Sequence, residues 1–291
     1  MSNSLLIRIE QEYSSFSKSH KRIADYILNN YEKAAYYTAA KLGTVTDISE
    51  STVVRFATHL GFEGYPEFQE ALQETIKGKL TAMQRMEVAN LQMQDVDVLS
   101  KVLTNDIATI KETLQNVSRE DFEGASKAIS EASKIYILGV RSSAPLANFM
   151  YFYLKMVYDN VVLINSASSS EMFEQIFKIG KDDICIALSF PRYSKQVVKT
   201  LQYVHDKGGK IVAITDSNSS PIAPVSDYVL TAKSNMASFI DSLVAPLSLI
   251  NALIVSATTD KHDEVVDTFC ELERVWDKYD VYEKQEDMIN E

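Results

Sequence analysis

Two segments of the chain combine serine hydroxyls with arginine directly after short apolar runs. One follows Ile135–Leu138 and the other follows Ile184–Leu188, and both runs have the length of a buried β-strand. In an open parallel sheet, the loops after the strands offer N–H groups beside helix N-termini, which favour anions. Hydroxyl donors beside helix N-termini suit a phosphate monoester. The candidate anion ligands are Arg141, Ser142, Ser143, Ser189, Arg192 and Ser194.

Each of these side chains also has a simpler interpretation. The serines can cap the helices that follow the strands, and Arg192 can be a solvated loop residue. Glu171 stands after a third apolar run, Val161–Ile164, where its carboxylate can accept a hydroxyl of a ligand or merely lie at an exposed helix start. Neither serine-rich loop has the pattern of a GxGxxG or Walker loop, so a dinucleotide or a nucleoside triphosphate is not predicted.

Segment 38–56 has the pattern of two helices joined by a tight turn. Gly43 stands where a small residue lets two helices approach, and Asp47 where the turn requires a left-handed backbone. The buried face is predicted to contain Ile48, Val53 and Phe56. A helix-turn-helix of this kind places its second helix in the major groove of DNA.

The outward face of that second helix carries side chains that can contact DNA. Arg55 suits a guanine edge, whereas Ser51 and Thr52 can reach base edges or phosphates. Alternatively, the two hydroxyl residues help to cap the helix, and Arg55 pairs with a nearby acid, Glu50 or Asp47. The residues of the preceding helix predicted to meet the flanking phosphates are Lys18, Lys21 and Arg22.

The charge distribution places any DNA contact in this N-terminal region. The whole chain has 29 basic and 40 acidic residues, a net charge of −11, which argues against a surface that binds nucleic acid everywhere. Between Ser17 and Leu60, however, 6 basic residues outnumber 4 acidic ones. The competing hypothesis for this region is a helical bundle that docks another protein, so its function depends on whether the second helix reads DNA.

Punctuation residues predict the helices that position these side chains. Ser17 and Ser49 are expected N-caps, and Gly61 is expected to end the helix that begins at Glu50. Pro66 opens a fourth helix, because proline is tolerated in the first turn. Residues 1–77 are therefore predicted to be an all-α helix-turn-helix domain.

Beyond a polar segment, 78–94, which we interpret as a linker, short apolar runs alternate with helix-length segments over 95–291. This alternation predicts a doubly wound α/β domain with a five-stranded parallel sheet. The predicted strands are Ile135–Leu138, Val161–Ile164, Ile184–Leu188, Ile211–Thr215 and Tyr228–Leu230.

Two segments of this second domain, 148–158 and 239–257, are apolar on nearly all sides. Each is expected to lie in the domain centre or against another subunit, which makes a homodimer or tetramer a prediction. Segment 239–257 contains Asp241 and Pro246, so a buried helix is a better interpretation than a membrane span.

The sequence offers little for redox or metal chemistry. Cys185 and Cys270 are far apart and are predicted to be free thiols of a reducing, cytoplasmic compartment. The four histidines lack the spacing of metal ligands, so neither a metal nor a cofactor is predicted; they are His20, His59, His205 and His262.

The N-terminal region resembles the helix-turn-helix domain of the RpiR family of bacterial transcription regulators. The stretches FSKSHKRIADYIL and DISESTVVRFATHLGFEGYPEFQEAL carry the resemblance, with Arg55 and Phe56 in the family's Ser-x-Ser-Thr-Val-x-Arg-Phe helix. Gly43 and Asp47 depart from the family pattern, in which alanine and glycine are commoner.

The second domain is similar to the sugar isomerase (SIS) domain that these regulators carry, a phosphosugar-binding fold. Gly139 and Ser143 match its first motif, and Ser189 and Ser194 match the outer positions of its Ser-x-Ser-Gly-x-Thr loop. The stretches Ile214-Thr215 and Ser220-Pro221 match a later part of the fold. Because Pro191 and Arg192 replace the inner serine and glycine, we expect Arg192, with Arg141, to supply a charge-assisted bond to the ligand's anionic group.

These patterns favour a sensor over an enzyme. Isomerisation of a phosphosugar needs a positioned base, and Glu171 is the only acid that the sequence places near the predicted site. We therefore expect no catalytic residues. The prediction is a DNA-binding regulator whose hold on its operator responds to a phosphosugar, and the alternative is a phosphosugar isomerase or a related SIS enzyme.

Overall fold

The computed structural model describes residues 5–76, 80–93, 97–166, 168–236 and 240–282. Its internal contacts divide the chain into two units. The first holds the described residues of Met1–Thr109, Pro191–Tyr193 and Ser234–Ser242, and the second those of Ile110–Phe190, Ser194–Lys233 and Leu243–Glu291. No helix of the described ranges is long and apolar enough to cross a membrane.

The first unit is built from helices that surround one apolar core. In chain order these helices are α1 (Leu5–Glu12), α2 (Lys18–Asn29), α3 (Tyr31–Ala34), α4 (Ala39–Thr46), α5 (Glu50–His59), α6 (Tyr65–Ile76), α7 (Ala82–Met93) and the first part of α8 (Val98–Asn116). Ser17 caps α2 as predicted, because its Oγ accepts a hydrogen bond from the backbone N–H of His20 at 3.3 Å. Ile23, Phe56 and Phe68 are among the fully buried side chains of the core.

The turn between α4 and α5 has the geometry that the sequence predicts. Asp47 adopts φ 52° and ψ 48°, a left-handed conformation that, among residues other than glycine, aspartate and asparagine adopt more readily than most. A Cβ at Gly43 would lie 2.6 Å from the carbonyl oxygen of Ile48, so the approach of the two helices leaves no room for the alanine that is commoner there. Gly61, at φ 79°, follows the last residues of α5 as expected.

The segment interpreted as a linker contains a helix, α7, with buried side chains. Val88 and Ala89 are buried, and Arg85 is 4% exposed. Arg85 forms an ion pair with Asp241 and contacts the sulfur of Met236, so α7 and the segment Ser234–Ser242 are joined within the first unit. The sequence did not predict this packing, because the side chain that joins the two segments is a buried arginine, Arg85, rather than an apolar residue. The predicted domain limits themselves remain predictions.

The second unit is a five-stranded parallel sheet with helices on both faces, as predicted. After the end of α8, its elements are α9 (Arg119–Glu131), β1 (Lys134–Gly139), α10 (Ala144–Leu154), β2 (Val161–Ile164), α11 (Ser169–Ile176), β3 (Asp183–Leu188), α12 (Lys195–Asp206), β4 (Lys210–Thr215), β5 (Tyr228–Thr231), α13 (Val244–Thr258) and α14 (His262–Lys278). The strand order is β2-β1-β3-β4-β5, and every pairing is parallel. Each observed strand lies within one residue of its predicted limits.

Two apolar clusters cover the two faces of this sheet. Ile137, Ile186 and Ile214 face one cluster with α9, α10 and α13, whereas Tyr136 and Cys185 face the other with α11 and α12. The alternation of neighbouring residues between the clusters follows from the period of two in a β-strand. Because burial disfavours the thiolate, it raises the pKa of Cys185 to about 12. Cys270 is also a free thiol, but it is exposed.

The two helices predicted to be apolar on all sides are each buried on one side only. In α10, Met150 and Leu154 are buried, whereas Phe152 is 56% exposed. In α13, Leu253 is buried and Val255 is 67% exposed. The predicted bounds were wrong by several residues, since α10 ends at Leu154 and α13 begins at Val244. Residues 237–239 lie outside the described ranges.

Gly139, the last residue of β1, allows the chain to turn tightly into α10. A Cβ on Gly139 would lie 2.7 Å from the Cβ of Ala147 and 2.9 Å from the carbonyl oxygen of Ser143. We predict that Gly139→Ala lowers the free energy of unfolding by about 1–3 kcal/mol, because two backbone segments must separate. Urea unfolding of the full chain measures the change. Gly180→Ala is the matched control, since its nearest neighbour is 4.0 Å from the added Cβ; an equal loss in both variants would contradict the prediction.

Candidate functional site

The exposed side of α5 carries a chain of hydrogen-bonded polar side chains. Ser49 Oγ lies 2.9 Å from Thr52 Oγ1 and 3.1 Å from Ser51 Oγ, and Arg55 Nη2 donates to Thr52 Oγ1 at 3.0 Å. Ser49 therefore stands at the N-cap position without a side-chain cap bond. Within the described structure, Arg55 pairs with the Thr52 hydroxyl rather than with Glu50 or Asp47, and the residue is exposed. Val53, Phe56 and Ala57 bury the opposite face of the helix.

The predicted phosphate contacts on α2 lie within its first turns. Lys18 is exposed, and the Lys21 ammonium lies 5.4 Å from the centre of the Tyr13 ring. Arg22 Nη2 donates to Asp47 Oδ2 at 3.2 Å, which ties α2 to the turn before α5. The guanidinium of Arg22 partly offsets the negative charge of Asp47 beside the start of α5.

An aromatic cluster holds the N-terminal end of α2 against the C-terminal end of α5. The His20 and His59 rings are 5.4 Å apart, and both contact Phe16 edge-on. Burial lowers the pKa of His20, and the nearby charges of His59 and Arg55 lower that pKa further. The cluster therefore brings the basic start of α2 beside the polar face of α5.

In the second unit, the two predicted loops meet at one edge of the sheet. β1 pairs with β3, and Gly139 is in register with Leu188, so the residues that follow these two leave the sheet side by side. In a sheet with this strand order, the connections from β1 and β3 run in opposite directions, which opens a crevice between them. Ligands of open α/β sheets bind at such a switch point.

The predicted serines lie at this edge with different exposure. Ser143 and Ser189 are buried, at 5% and 4% exposure, while Ser142 is exposed and Ser194 is half-buried. Ser143 and Ser194 occupy the N-cap positions of α10 and α12, but neither side chain makes a cap hydrogen bond within the described structure. The Ser143 and Ser194 hydroxyls therefore lie beside two helix N-termini without serving as helix caps.

The two arginines share an unusual backbone conformation. Arg141 has φ 57° and Arg192 has φ 69°, both in the left-handed region that costs about 1–2 kcal/mol for a residue with a Cβ. Arg192 thus keeps a conformation suited to the glycine that it replaces in the Ser-x-Ser-Gly-x-Thr pattern. The contacts of Pro191–Tyr193 assign Arg192 to the first unit, whereas Arg141 belongs to the second. The second unit by itself therefore groups Arg141, but not Arg192, with the serines.

Glu171 lies in the first turn of α11, after β2, and is exposed. Its Oε2 accepts a short hydrogen bond from Ser166 Oγ, and Ser166 Oγ also accepts from the backbone N–H of Ser168. The carboxylate thus already has a local role in ordering the start of α11.

Polar residues at the end of β4 and in the loop after it were not named as site candidates. Thr215, Asp216 and Ser220 are each at most 3% exposed, and Ser220 Oγ has no hydrogen-bond partner within the described structure. The backbone N–H of Ser189 donates to the carbonyl oxygen of Ile214 at 3.1 Å, so this loop adjoins the one after β3. The sequence signal was the run of hydroxyl and carboxylate residues directly after a strand. Across the described residues, no three histidine, cysteine, aspartate or glutamate side chains form a group that could hold a metal ion.

Comparisons with known proteins match each part of the chain to a family. Residues 3–79 match the model "Helix-turn-helix domain, rpiR family", and residues 128–256 match the SIS domain. An uncharacterized HTH-type transcriptional regulator of Clostridium perfringens is 22% identical over 271 residues, which cover 90% of this chain and 95% of that protein.

Two solved structures are similar to parts or most of the chain. The sugar isomerase domain of an RpiR transcription factor from Sphaerobacter thermophilus is 26% identical with a TM-score of 0.57, and the match covers 60% of this chain and 97% of that one. The Vibrio vulnificus NanR protein complexed with ManNAc-6P is 21% identical with a TM-score of 0.57, covering 94% and 98%. The second similarity extends the likeness in fold over both units.

The backbone of Arg192 leads to a stability prediction. Arg192→Gly should unfold at a higher urea concentration than Arg192→Ala, by about 1 kcal/mol in free energy, because glycine adopts a positive φ without the Cβ penalty. Both variants lose the guanidinium, so their difference isolates the backbone. Urea titrations of the two full-length variants provide the measurement, and equal stability would show that this loop relaxes to a negative φ.

Proposed function

Because the chain belongs to the RpiR family of helix-turn-helix transcription regulators and carries a SIS domain, we propose that a phosphosugar bound by the SIS domain modulates its operator binding. The observation that carries the proposal is the juxtaposition, at the β1/β3 switch point, of serine hydroxyls that cap no helix with the N-termini of α10 and α12. NanR, a relative in fold, was solved with ManNAc-6P bound.

The DNA-binding part of the proposal rests on the exposed face of α5. Arg55 presents five N–H donors in a planar fork, which matches the O6 and N7 acceptors of guanine. Ser51 and Thr52 reach base edges or phosphates from the first turn of the same helix, and Lys18 and Lys21 meet the flanking phosphates. Operator DNA lies in the cytoplasm, so we place the protein there.

The proposed ligand site combines hydroxyl and cationic donors. Ser143, Ser189 and Ser194 would donate to phosphoryl oxygens, and Arg141 and Arg192 would add charge-assisted bonds. Ser142 lies in the same turn and offers a further hydroxyl. Glu171 would accept from a sugar hydroxyl only if it released Ser166, which makes its contribution conditional on local rearrangement.

Coupling between the two functions requires that the ligand bind the DNA-competent and DNA-incompetent arrangements unequally. A homodimer or tetramer would present paired α5 helices to a palindromic operator, because two-fold symmetry in the protein matches two-fold symmetry in the half-sites. We propose that residues 1–77 bind DNA, that residues 78–94 connect the two domains and that residues 95–291 bind the ligand.

We propose that the protein acts as a sensor and has no enzymatic activity. Proton abstraction from a phosphosugar needs a base positioned beside the sugar carbon. Glu171 is exposed and already bonded to Ser166, and His205 lies at the end of α12, away from the strand ends. An isomerase, the second candidate, would require one of these groups to move.

Arg55→Ala should weaken operator binding by about tenfold or more, because about 1–3 kcal/mol is lost with a bidentate base contact. The side chain is exposed, so the melting temperature should stay nearly unchanged. Fluorescence anisotropy with a genomic fragment selected by the wild-type protein measures both affinity and its salt dependence. Lys199→Ala, on α12, is the control that removes one exposed positive charge elsewhere. Equal affinity of Arg55→Ala and wild type would indicate a protein-docking bundle instead.

Ligand binding can be tested on the full chain with a panel of sugar phosphates that includes ManNAc-6P. Ser189→Ala and Ser194→Ala should each weaken binding by about tenfold or more, because a hydrogen bond to a charged group contributes about 1.5–3 kcal/mol. Arg192→Ala tests the guanidinium in the same titration calorimetry. Ser130→Ala, on α9, is the control. Unchanged binding in Arg192→Ala would remove that residue from the site, and unchanged binding in both serine variants would overturn the proposed site.

A further inference from the structure

The last helix of the described chain, α14, has an apolar stripe that the described residues of the same chain cover only in part, for example through the edge-on contact of Tyr282 with Trp276. Val265, Phe269, Leu272, Trp276 and Tyr279 follow one another at intervals of four and three residues, the spacing of a helix seam that packs against another helix. Every described side chain of α14, which excludes that of His262, is exposed or half-buried. Phe269 is 37% exposed and Tyr279 is 67% exposed. A seam of this length normally requires a partner.

The charge of α14 restricts what that partner can be. The helix carries six acidic side chains and two basic ones, Arg274 and Lys278. Two copies of α14 laid side by side would repel, because like charges along a helix pair are unfavourable. The seam therefore fits a surface that is apolar at its centre and neutral or basic at its rim.

The second unit has an apolar groove with those properties. It lies between the end of α8, α9 and α13, has a volume of about 180 Å³, and is lined by Ile110, Leu114, Phe122, Leu249 and Ala252 among others. Arg119 is the charged residue among its described lining residues, and Lys111 is exposed on the adjoining turn of α8. The volume suits one or two large side chains such as Phe269 and Leu272, with the rest of a helix lying along α8.

The end of α8 is inverted with respect to an ordinary surface helix. Thr113 is buried and its Oγ1 accepts from the backbone N–H of Lys233 at 3.1 Å, while Glu112 pairs with the Lys233 ammonium at 3.0 Å. Leu114, by contrast, is 60% exposed. This helix turns its threonine and glutamate toward its own unit and leaves apolar side chains and Lys111 outside. An apolar patch exposed on a helix in this way is typical of a protein–protein contact.

We propose that α14 of one copy of the chain packs into the groove between α8, α9 and α13 of a second copy. The acidic flanks of α14 then face Lys111 and Arg119, and its apolar seam covers Leu114 and the groove. By two-fold symmetry each copy gives its α14 to the other, so the contact is made twice in one dimer. The inference rests on the proposed oligomeric state and names the surface that forms it.

Engineered disulfides test the contact directly in the full chain. Leu114→Cys combined with Leu272→Cys, in a Cys270→Ser background, should give a covalent dimer on mild oxidation. Cys185 takes no part, because it is buried and its pKa is raised to about 12. The matched control is Leu114→Cys alone with the native Cys270, which lies on the opposite side of α14 from the seam. It should not crosslink, because a disulfide forms only between Cβ atoms that face each other.

Each other product overturns the proposal in a distinct way. An internal disulfide in a monomer would show that α14 folds back onto its own groove. A covalent dimer from Leu114→Cys alone in the Cys270→Ser background would indicate that two α8 helices meet, and one from Leu272→Cys alone would indicate paired α14 helices. The absence of crosslinking in a chain that sediments as a dimer would place the interface on another face.

A second variant separates this inference from the proposed regulatory function. Phe269→Glu should raise the dissociation constant of the dimer about 30-fold or more, whereas Arg274→Glu on the polar face should not. The side chain is partly exposed in one copy, so the fold tolerates the change. If Phe269→Glu remains dimeric and binds its operator, the proposed α14 interface is wrong and the proposed regulatory function stands. If the wild-type chain binds its operator as a monomer, the proposal that a symmetric dimer binds a palindromic operator is wrong as well.

Discussion

The parallel pairing of β1 with β3 is the constraint on which the candidate ligand site depends. It places Gly139 beside Leu188, so the chain leaves the sheet at two adjacent points of one edge. The first exit turns at once into α10 and the second passes through a serine-rich loop into α12. Helices that begin at this edge direct their N-termini toward it, and the hydroxyls of Ser143 and Ser194 remain available because they do not cap those helices. The site is thus a consequence of sheet topology before it is a consequence of any one side chain.

The helix-turn-helix of the first unit likewise depends on a few close contacts. The close contact of Gly43 with Ile48 sets the distance between α4 and α5, and the left-handed Asp47 sets the direction of the turn. Asp47 also binds Arg22, so one residue that departs from the family pattern both shapes the turn and joins it to α2. The aromatic contacts of Phe16 with His20 and His59 hold the other end of this arrangement. These contacts hold α5 against the rest of the first unit at both of its ends, so its polar face points outward.

Much of this fold could be predicted because the decisive signals are local. Buried parallel strands appear as short apolar runs, and a left-handed turn appears as a single aspartate between two helices. The sequence could not predict that Arg85 is buried, because its partner Asp241 lies 156 residues away. The sequence also could not predict that Arg192 belongs to the first unit while the neighbouring Ser189 and Ser194 belong to the second. That assignment depends on the three-dimensional contacts of the segment Pro191–Tyr193. Thr215 and Ser220 were matched to the SIS fold, but they and Asp216 were not named as site residues, because the position of a polar residue in the sequence does not reveal that it is buried.

The buried ion pair of the first unit has a consequence for how this sequence can vary. The side chains of Arg85 and Asp241 are 5% and 14% exposed. Removal of the Asp241 carboxylate alone would therefore lower the free energy of unfolding by about 3–5 kcal/mol, because the guanidinium of Arg85 would stay buried without a partner. Replacement of both by apolar residues of similar volume would be far less harmful. Evolution can therefore change these two positions only in concert, and a relative that lacks one charge should also lack the other. Correlated changes at positions 85 and 241 in an alignment of divergent relatives would therefore reveal this contact from sequence alone.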